Sequence, residues 1–304
     1  MSAQADAPIA EHRCGTVAIV GRPNVGKSTL LNALIGWRLA IAGPKPQTTR
    51  HRILGILSRP HGQILFLDTP GLHRGGGRAM NRQLNRTARQ AIGEADVVVH
   101  AIEAGRWTGE DRLVWEALAD FKGARLLAVN KVDAQKDKAQ LLPFIERVGA
   151  EHAYDAVYLV SAKRRDGLDA LERGILERLP VAPPAYGADE ITDRSERFLA
   201  AELVREQLML RLAQELPYAT TVVVDEFRDS DGHAEISATI WVEREGQKAI
   251  VIGEGGKMLK AIGSAARRTM ERLFERRVFL RLWVNVREGW SDDDAALRRF
   301  GYAE

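Results

Sequence analysis

Short apolar runs recur through the first half of the chain, separated by polar or amphipathic stretches. Those near 16–20, 52–57, 63–67, 96–101, 125–129 and 156–160 are rich in Val, Ile and Leu and five or six residues long. Runs of that length bounded by polar residues read as buried strands. With helical segments between them, they predict an α/β domain over 15–180 with a mostly parallel sheet. Residues 1–14 read as a disordered lead. A linker is expected at 181–197, where the stretch LPVAPPAYGADEITDRSE (179–196) has prolines and acids that interrupt any period. The pattern then changes. Ala200, Val204, Leu208, Leu212 and Leu216 recur every fourth residue, one face of a helix predicted to end at Pro217. Strands are expected at 221–227 and 235–243, where Ile236, Ala238, Ile240 and Val242 alternate with other residues, joined by a turn at 229–233. Two helical segments around Glu254-Gly255-Gly256 and a last strand at 278–286 complete an α-β-β-α-α-β order over 198–304.

Ligands of open parallel sheets bind beyond the carboxyl ends of strands, and four motifs lie there. Gly21-Arg22-Pro23-Asn24-Val25-Gly26-Lys27-Ser28 fits G-x-x-x-x-G-K-[ST] between the first strand and the helix that Thr29 continues. Backbone N–H groups and a helix N-terminus then converge on a polyphosphate. Lys27 is expected to reach the β and γ phosphates and Ser28 to hold Mg2+. Asp68-Thr69-Pro70-Gly71, followed by Leu72, comes straight after another strand. The Asp68 carboxylate is placed to hold Mg2+ through water, and the Gly71 N–H to sense the γ-phosphate. Asn130-Lys131-Val132-Asp133 selects the base: guanine offers two neighbouring donors that Asp133 can accept, and adenine does not. Asn130 is expected to brace the loop and Lys131 to lie along the ring. Ser161-Ala162-Lys163 would offer backbone N–H groups to guanine O6. The four in order point to GTP or GDP with Mg2+. The Asn-Lys-Val-Asp motif occurs once, against a tandem pair of such domains.

The second half carries a different chemistry. Val251-Ile252-Gly253-Glu254-Gly255-Gly256 fits the VIGxxG of a type II KH domain, whose GXXG loop lets a nucleic-acid backbone approach closely. From Lys257 to Arg281 eight Lys or Arg face only Glu271 and Glu275, so Lys257, Lys260 and Arg267 are candidate phosphate contacts. Glu254 departs from the basic residue expected in that loop: either it opposes RNA by repulsion or it turns outward beside Lys257.

The four motifs resemble those of translation-factor-like GTPases, and Gln47-Thr48-Thr49-Arg50-His51, preceded by Pro-Lys-Pro, resembles the switch region of the Era family of bacterial ribosome-associated GTPases. An N-terminal G domain joined to a C-terminal KH domain is that family's hallmark. Residues 192–206 and 282–290 are also similar to its linker helix and tail. The resemblance implies a GTP-hydrolysing switch that binds the 3′ end of small-subunit ribosomal RNA and assists maturation of the small subunit. It implies that Thr49, or in the alternative Thr48, closes on Mg2+ beside Ser28 and Asp68, with Lys27, Thr49 and Gly71 as the catalytic set. It also implies peripheral membrane association, of which the sequence gives no independent sign. Leu72 stands where many GTPases carry a water-orienting glutamine, so slow turnover is expected, and Asn24 is a candidate for helping to hold K+. Leu72 leaves open a module that holds GTP but barely hydrolyses it; a GTPase acting mainly on protein or membrane partners is the other alternative.

Composition narrows the setting. The chain has 304 residues, 45% of them hydrophobic, enough for two cores of about 150 residues each. A single cysteine excludes an internal disulfide framework and fits the cytoplasm. The formal charge of +3 is mild, so where the charge lies matters more than its total. No apolar run approaches a membrane span, the N-terminus has no secretion-signal pattern, and the histidines have no metal-ligand spacing. A monomer is expected. The run His73-Arg74-Gly75-Gly76-Gly77-Arg78 falls where a second switch is expected, and Trp107, Trp115, Trp241, Trp283 and Trp290 read as core or edge packing rather than base-stacking platforms.

Overall fold

The structure, a computed structural model, describes residues 11–43, 45, 47–72, 78–135, 137–230 and 232–302. The expected lead up to residue 10 and most of the His73–Arg78 run lie outside these. The described chain forms two compact units, and the division is not contiguous. One holds residues up to Ala40 with Arg52–Leu72 and Ala88–Asp193; the other holds the described parts of Ile41–His51 and 73–87 together with 194–302.

The first unit is built on six strands, all close to their expected places: β1 (Arg13–Val20), β2 (Ile53–Arg59), β3 (Gly62–Asp68), β4 (Val97–Glu103), β5 (Ala124–Asn130) and β6 (Ala156–Leu159). Their order is β2-β3-β1-β4-β5-β6, with β2 antiparallel to β3 and every other pairing parallel. Val97 to Ile102 are buried without interruption, as befits a central strand covered on both faces. Helices α1 (Lys27–Ile35), α3 (Gly109–Ala117), α4 (Leu141–Glu151) and α5 (Leu168–Leu176) intervene, with α2 (Ala79–Gly93). Ala88, Ala91 and Ile92 of α2 pack in this unit's core with Leu67, Leu72 and Val98. Strand β1 starts at Arg13, ahead of the expected boundary at 15, because Arg13 N donates to the His61 carbonyl and Cys14 N to that of Pro180. The expected linker is a strap on this unit. The Gln63 carboxamide takes the Ala185 and Tyr186 N–H groups, and Thr192 Oγ1 donates to the Leu54 carbonyl at 2.7 Å.

The second unit carries the α-β-β-α-α-β order: α6 (Glu196–Arg211), β7 (Thr221–Ser230), β8 (His233–Val242), α7 (Glu245–Ile252), α8 (Lys257–Leu273) and β9 (Arg277–Val286), then α9 (Asp294–Arg299). The sheet order is β7-β8-β9, antiparallel then parallel. Helix α6 stops at Arg211, short of Pro217, because Leu212 is extended and Gln214 takes a left-handed φ of 50°. The four-residue stripe stays buried through Leu216 all the same. Ile262, Ala266 and Met270 are the buried positions of α8. Trp290 is fully buried in a cluster with Met80, Leu84, Leu297 and Tyr302. Trp283 lies on the edge strand β9 and is 48% exposed.

The segment before β2 is held firmly here. Arg50 is buried and donates to the carbonyls of Thr220 at 2.7 Å, Tyr218 at 3.0 Å and Pro217 at 3.2 Å. Arg205 is buried, paired with Glu202 and bonded to the Thr48 carbonyl. Burial alone would neutralise Glu202, but the guanidinium beside it holds its carboxyl far below the usual range.

Candidate functional site

Gly21 to Ser28 wrap from the end of β1 into α1 with the glycines that the path demands. A Cβ on Gly21 would sit 2.4 Å from the Ala101 carbonyl oxygen. Gly26 has φ +100°, and a Cβ there would sit 2.5 Å from Asn130 Nδ2. Lys27 Nζ lies 3.0 Å from both the Gly21 and Arg22 carbonyls, and burial lowers its pKa to about 8. Ser28 Oγ donates to the fully buried Asp68 at 2.9 Å. A hydroxyl and a carboxylate brought together at a helix start are the hard oxygen pair that suits Mg2+. Thr69 Oγ1 ties to the Ile19 carbonyl at 2.9 Å, Pro70 is buried, and Gly71 packs so close to Pro23 that a Cβ would meet its nitrogen at 2.8 Å. Leu72 is buried in the apolar core and offers no polar group.

The base-selecting motif joins the same assembly. Asn130 Nδ2 donates to the Val25 carbonyl at 2.9 Å, while its Oδ1 accepts the Ala162 N–H at 3.1 Å. One side chain thus ties three of the four motifs together. Lys131 takes a left-handed φ of 65°, and Val132 N donates to the Val160 carbonyl. Asp133 accepts from Ser161 Oγ at 2.6 Å, and that bond, aided by Arg164 and Lys163, lowers its pKa. Asn24 is exposed with a left-handed φ of 65°, Thr29 is half-buried and Lys163 is exposed. Thr49 belongs to the second unit and is buried there.

In the second unit Gly253 to Gly256 form the turn between α7 and α8. The glycines differ in what they require. A Cβ on Gly253 would meet Met258 Cβ at 2.7 Å, so this position is closed by packing. Gly255 and Gly256 have left-handed φ values of 57° and 76° with open space where a Cβ would point, which leaves their surface free for a backbone to approach. Glu254 is exposed and lies 3.7 Å from Lys257. Lys260 is exposed, and Arg267 pairs with Glu271 at 2.7 Å.

A family described as 50S ribosome-binding GTPase matches residues 16–131, and the KH domain family matches 215–291. GTPase Era of Stenotrophomonas maltophilia is 57% identical over 291 residues, covering 96% of this chain and 98% of its own. GTPase Era of Xanthomonas oryzae pv. oryzae is also 57% identical, over 96% of this chain and 97% of its own. The chain belongs to the Era family of GTPases. A crystal structure of an Aquifex aeolicus Era variant bound to GDP and AlF4− superposes with a TM-score of 0.93 at 37% identity, over 96% of this chain and all of that one. A structure of Era with MgGDPNP and nucleotides 1506–1542 of 16S ribosomal RNA does so with the same values. The chain is therefore a P-loop GTPase with a mostly parallel sheet, followed by a KH domain.

Sequence reasoning placed Arg22 in the phosphate loop of this Era-family site but missed its two carboxylate partners. Arg22 is buried, with Nε 3.1 Å from Asp111 and Nη2 2.9 Å from Glu103. Glu103 also lies 3.4 Å from Lys131 Nζ, so one carboxylate links the phosphate loop to the base-selecting loop, and its pKa is lowered by those cations against the opposing effect of burial. Asp111 is fully buried and accepts from Thr108 N and Oγ1 at the start of α3. The signal was Thr-x-x-Asp ahead of an apolar stretch, a capping-box pattern.

Proposed function

We propose that this chain is a GTP-driven switch that binds small-subunit ribosomal RNA near its 3′ end and assists maturation of the small ribosomal subunit. Residues 15–180 would bind GTP and 198–304 RNA, with the strap between them. The phosphate loop, Asp68–Leu72, Asn130–Asp133 and Ser161–Lys163 would hold the nucleotide, and Ser28, Asp68 and Thr49 would hold Mg2+. Lys27, Thr49 and Gly71 would act on the γ-phosphate. Gly253–Lys257, Lys260 and Arg267 would contact RNA.

One observation carries the coupling. The segment read as a nucleotide switch, ending at Arg50 and His51, is anchored among α6 and the turn before β7, elements of the same unit as the GXXG loop. Ordering it around a γ-phosphate would work against, or with, those anchors. The complex of the related Era with MgGDPNP and 16S ribosomal RNA supports the pairing of nucleotide with RNA. Affinity for a 16S fragment covering 1506–1542 is expected to differ at least about fivefold between the GDPNP and GDP forms; equal affinities contradict the reading.

Leu72 is apolar and buried, so water must be oriented by other groups and intrinsic turnover should be slow. We assign Asn24 to K+ beside the β–γ bridge, where a cation would neutralise developing charge. Replacing Na+ with K+ should raise turnover, and Asn24→Ala should remove the difference. We also propose a cytoplasmic monomer. Peripheral membrane association rests on the family resemblance alone, and vesicle flotation tests it.

A further inference from the structure

Strand β9 turns a row of five side chains to one face of its sheet. Arg277, Phe279, Arg281, Trp283 and Asn285 are all exposed, while Val278 and Val284 between them are buried. Phe279 is 57% and Trp283 48% exposed, high values for such large apolar groups. β9 is an edge strand. On β8 the row opposite is Glu235, Ser237 and Thr239, in register with Phe279, Arg281 and Trp283. The His233 ring stands edge-on to Phe279 with centroids 5.1 Å apart, and Glu235 lies 3.6 Å from His233. Arg277 and Arg281 make no ion pair among the described residues, whereas Arg228 on the same face is paired with Glu226.

The GXXG groove lies on the other face of the sheet and reaches this one round the β9 edge. A hollow of about 350 Å³ runs between α8 and β9, lined by Gly256, Lys260, Gly263, Arg267, Leu280 and Leu282. A second, of about 580 Å³, is lined by Arg267, Glu271, Arg277, Phe279, Leu280 and Arg281. The two share Arg267 and Leu280, so a strand leaving the groove meets the β9 row next.

We propose that the outer face of β9 is a second site for single-stranded RNA, a stacking platform on which Phe279 and Trp283 take bases and Arg277 and Arg281 take phosphates. It rests on the RNA reading above and extends it beyond the four nucleotides that a GXXG loop clamps. Every base has a π-face, so exposed aromatics beside a basic groove hold a strand without reading its sequence. The rings are four residues apart, about 13 Å along the strand, with Arg281 midway to meet the backbone between two splayed bases. RNA rather than a protein is favoured by charge: Arg277 and Arg281 have no carboxylate partner among the described residues and continue a groove lined by Lys260 and Arg267.

The test uses the full chain with GDPNP and labelled RNAs of the 3′-terminal four and twelve nucleotides of 16S ribosomal RNA. In the unaltered protein the twelve-mer should bind more tightly than the four-mer. Phe279→Ala/Trp283→Ala should weaken the twelve-mer about tenfold or more and leave the four-mer within about twofold. Phe279→Tyr/Trp283→Phe should restore it, and Arg281→Gln should reduce the salt slope of twelve-mer binding by about one. Gly255→Asp/Gly256→Asp should weaken both lengths. An unchanged twelve-mer affinity in the double alanine variant overturns the platform and leaves the face to a protein. Equal loss of both lengths in that variant overturns it too, since the damage would then lie in the groove. If neither RNA binds the unaltered protein, the RNA reading fails and the platform with it.

Discussion

Asn130 donates its side-chain amide to the Val25 carbonyl at 2.9 Å, bolting the base-selecting loop to the phosphate loop. Its carbonyl end takes the Ala162 N–H as well. Asn130→Ala leaves both partners buried and unpaired, at about 1–3 kcal/mol each. GDP affinity is expected to fall tenfold or more, measured by titration calorimetry. Asn130→Asp should be no better, because a carboxylate cannot donate to Val25.

Glu103 faces Arg22 and Lys131 together, so Glu103→Gln should loosen two loops at once. The expected signature is a raised KM for GTP and weaker discrimination against ATP, with a smaller change in kcat. A drop in kcat alone would mean that Glu103 does not position the nucleotide.

Lys27 gives nucleotide binding a pH dependence. Burial lowers its pKa to about 8 from 10.5, so the nucleotide-free protein sheds that proton near pH 8 while the unfolded chain keeps it to about 10.5. Stability of the nucleotide-free form therefore gains from this group as pH rises across that window. A bound polyphosphate favours the ammonium, so binding takes up a proton above pH 8. GDP affinity should fall between pH 8 and 9.5, and Lys27→Met, though weaker, should show a flatter profile.

His100 is fully buried, 2.7 Å from the Tyr154 hydroxyl, and burial pushes its pKa down to about 3. The unfolded chain binds this proton near pH 6.5, so stability falls as pH drops from 6.5 toward 3, by up to about 1.4 kcal/mol per pH unit. His100→Gln should lose less stability over that range in urea titrations. Parallel curves would show that His100 is not the group responsible.

Glu254 is exposed at the tip of the GXXG turn, 3.7 Å from Lys257. Glu254→Lys should tighten RNA binding at low salt and steepen its salt dependence by about one. Unchanged or weaker binding would rule out repulsion as the important effect.

The nucleotide motifs were legible because their chemistry needs particular residue types at fixed spacing along one strand–loop–helix unit. The six strands were legible because each carries a short apolar run, continuous in the buried parallel β4 and kept even in the antiparallel β2 and the half-exposed β6. What escaped was long-range. Glu103 and Asp111 read as ordinary polar residues, and Arg22 as a phosphate-loop position without partners, until the fold brings the end of β1, β4 and α3 together. Gly253 reads like Gly256, yet one faces Met258 and the other open space. Nothing in the run from Ile41 to His51 announces that it clusters with residues 194–302; that follows from Arg50 finding three carbonyls there.

The most direct test of coupling is GTP turnover with and without 16S ribosomal RNA 1506–1542, in the unaltered protein and in Gly255→Asp/Gly256→Asp. Those two positions have room for a side chain, unlike Gly253, so the variant adds charge at the RNA surface without a packing clash, at the cost of two left-handed non-glycine residues confined to that exposed turn. RNA should change turnover in the unaltered protein, and the change should disappear in the variant while basal turnover stays. Turnover indifferent to RNA that is nonetheless bound would contradict it, and the KH domain would then be an anchor, with the signal to hydrolyse coming from elsewhere.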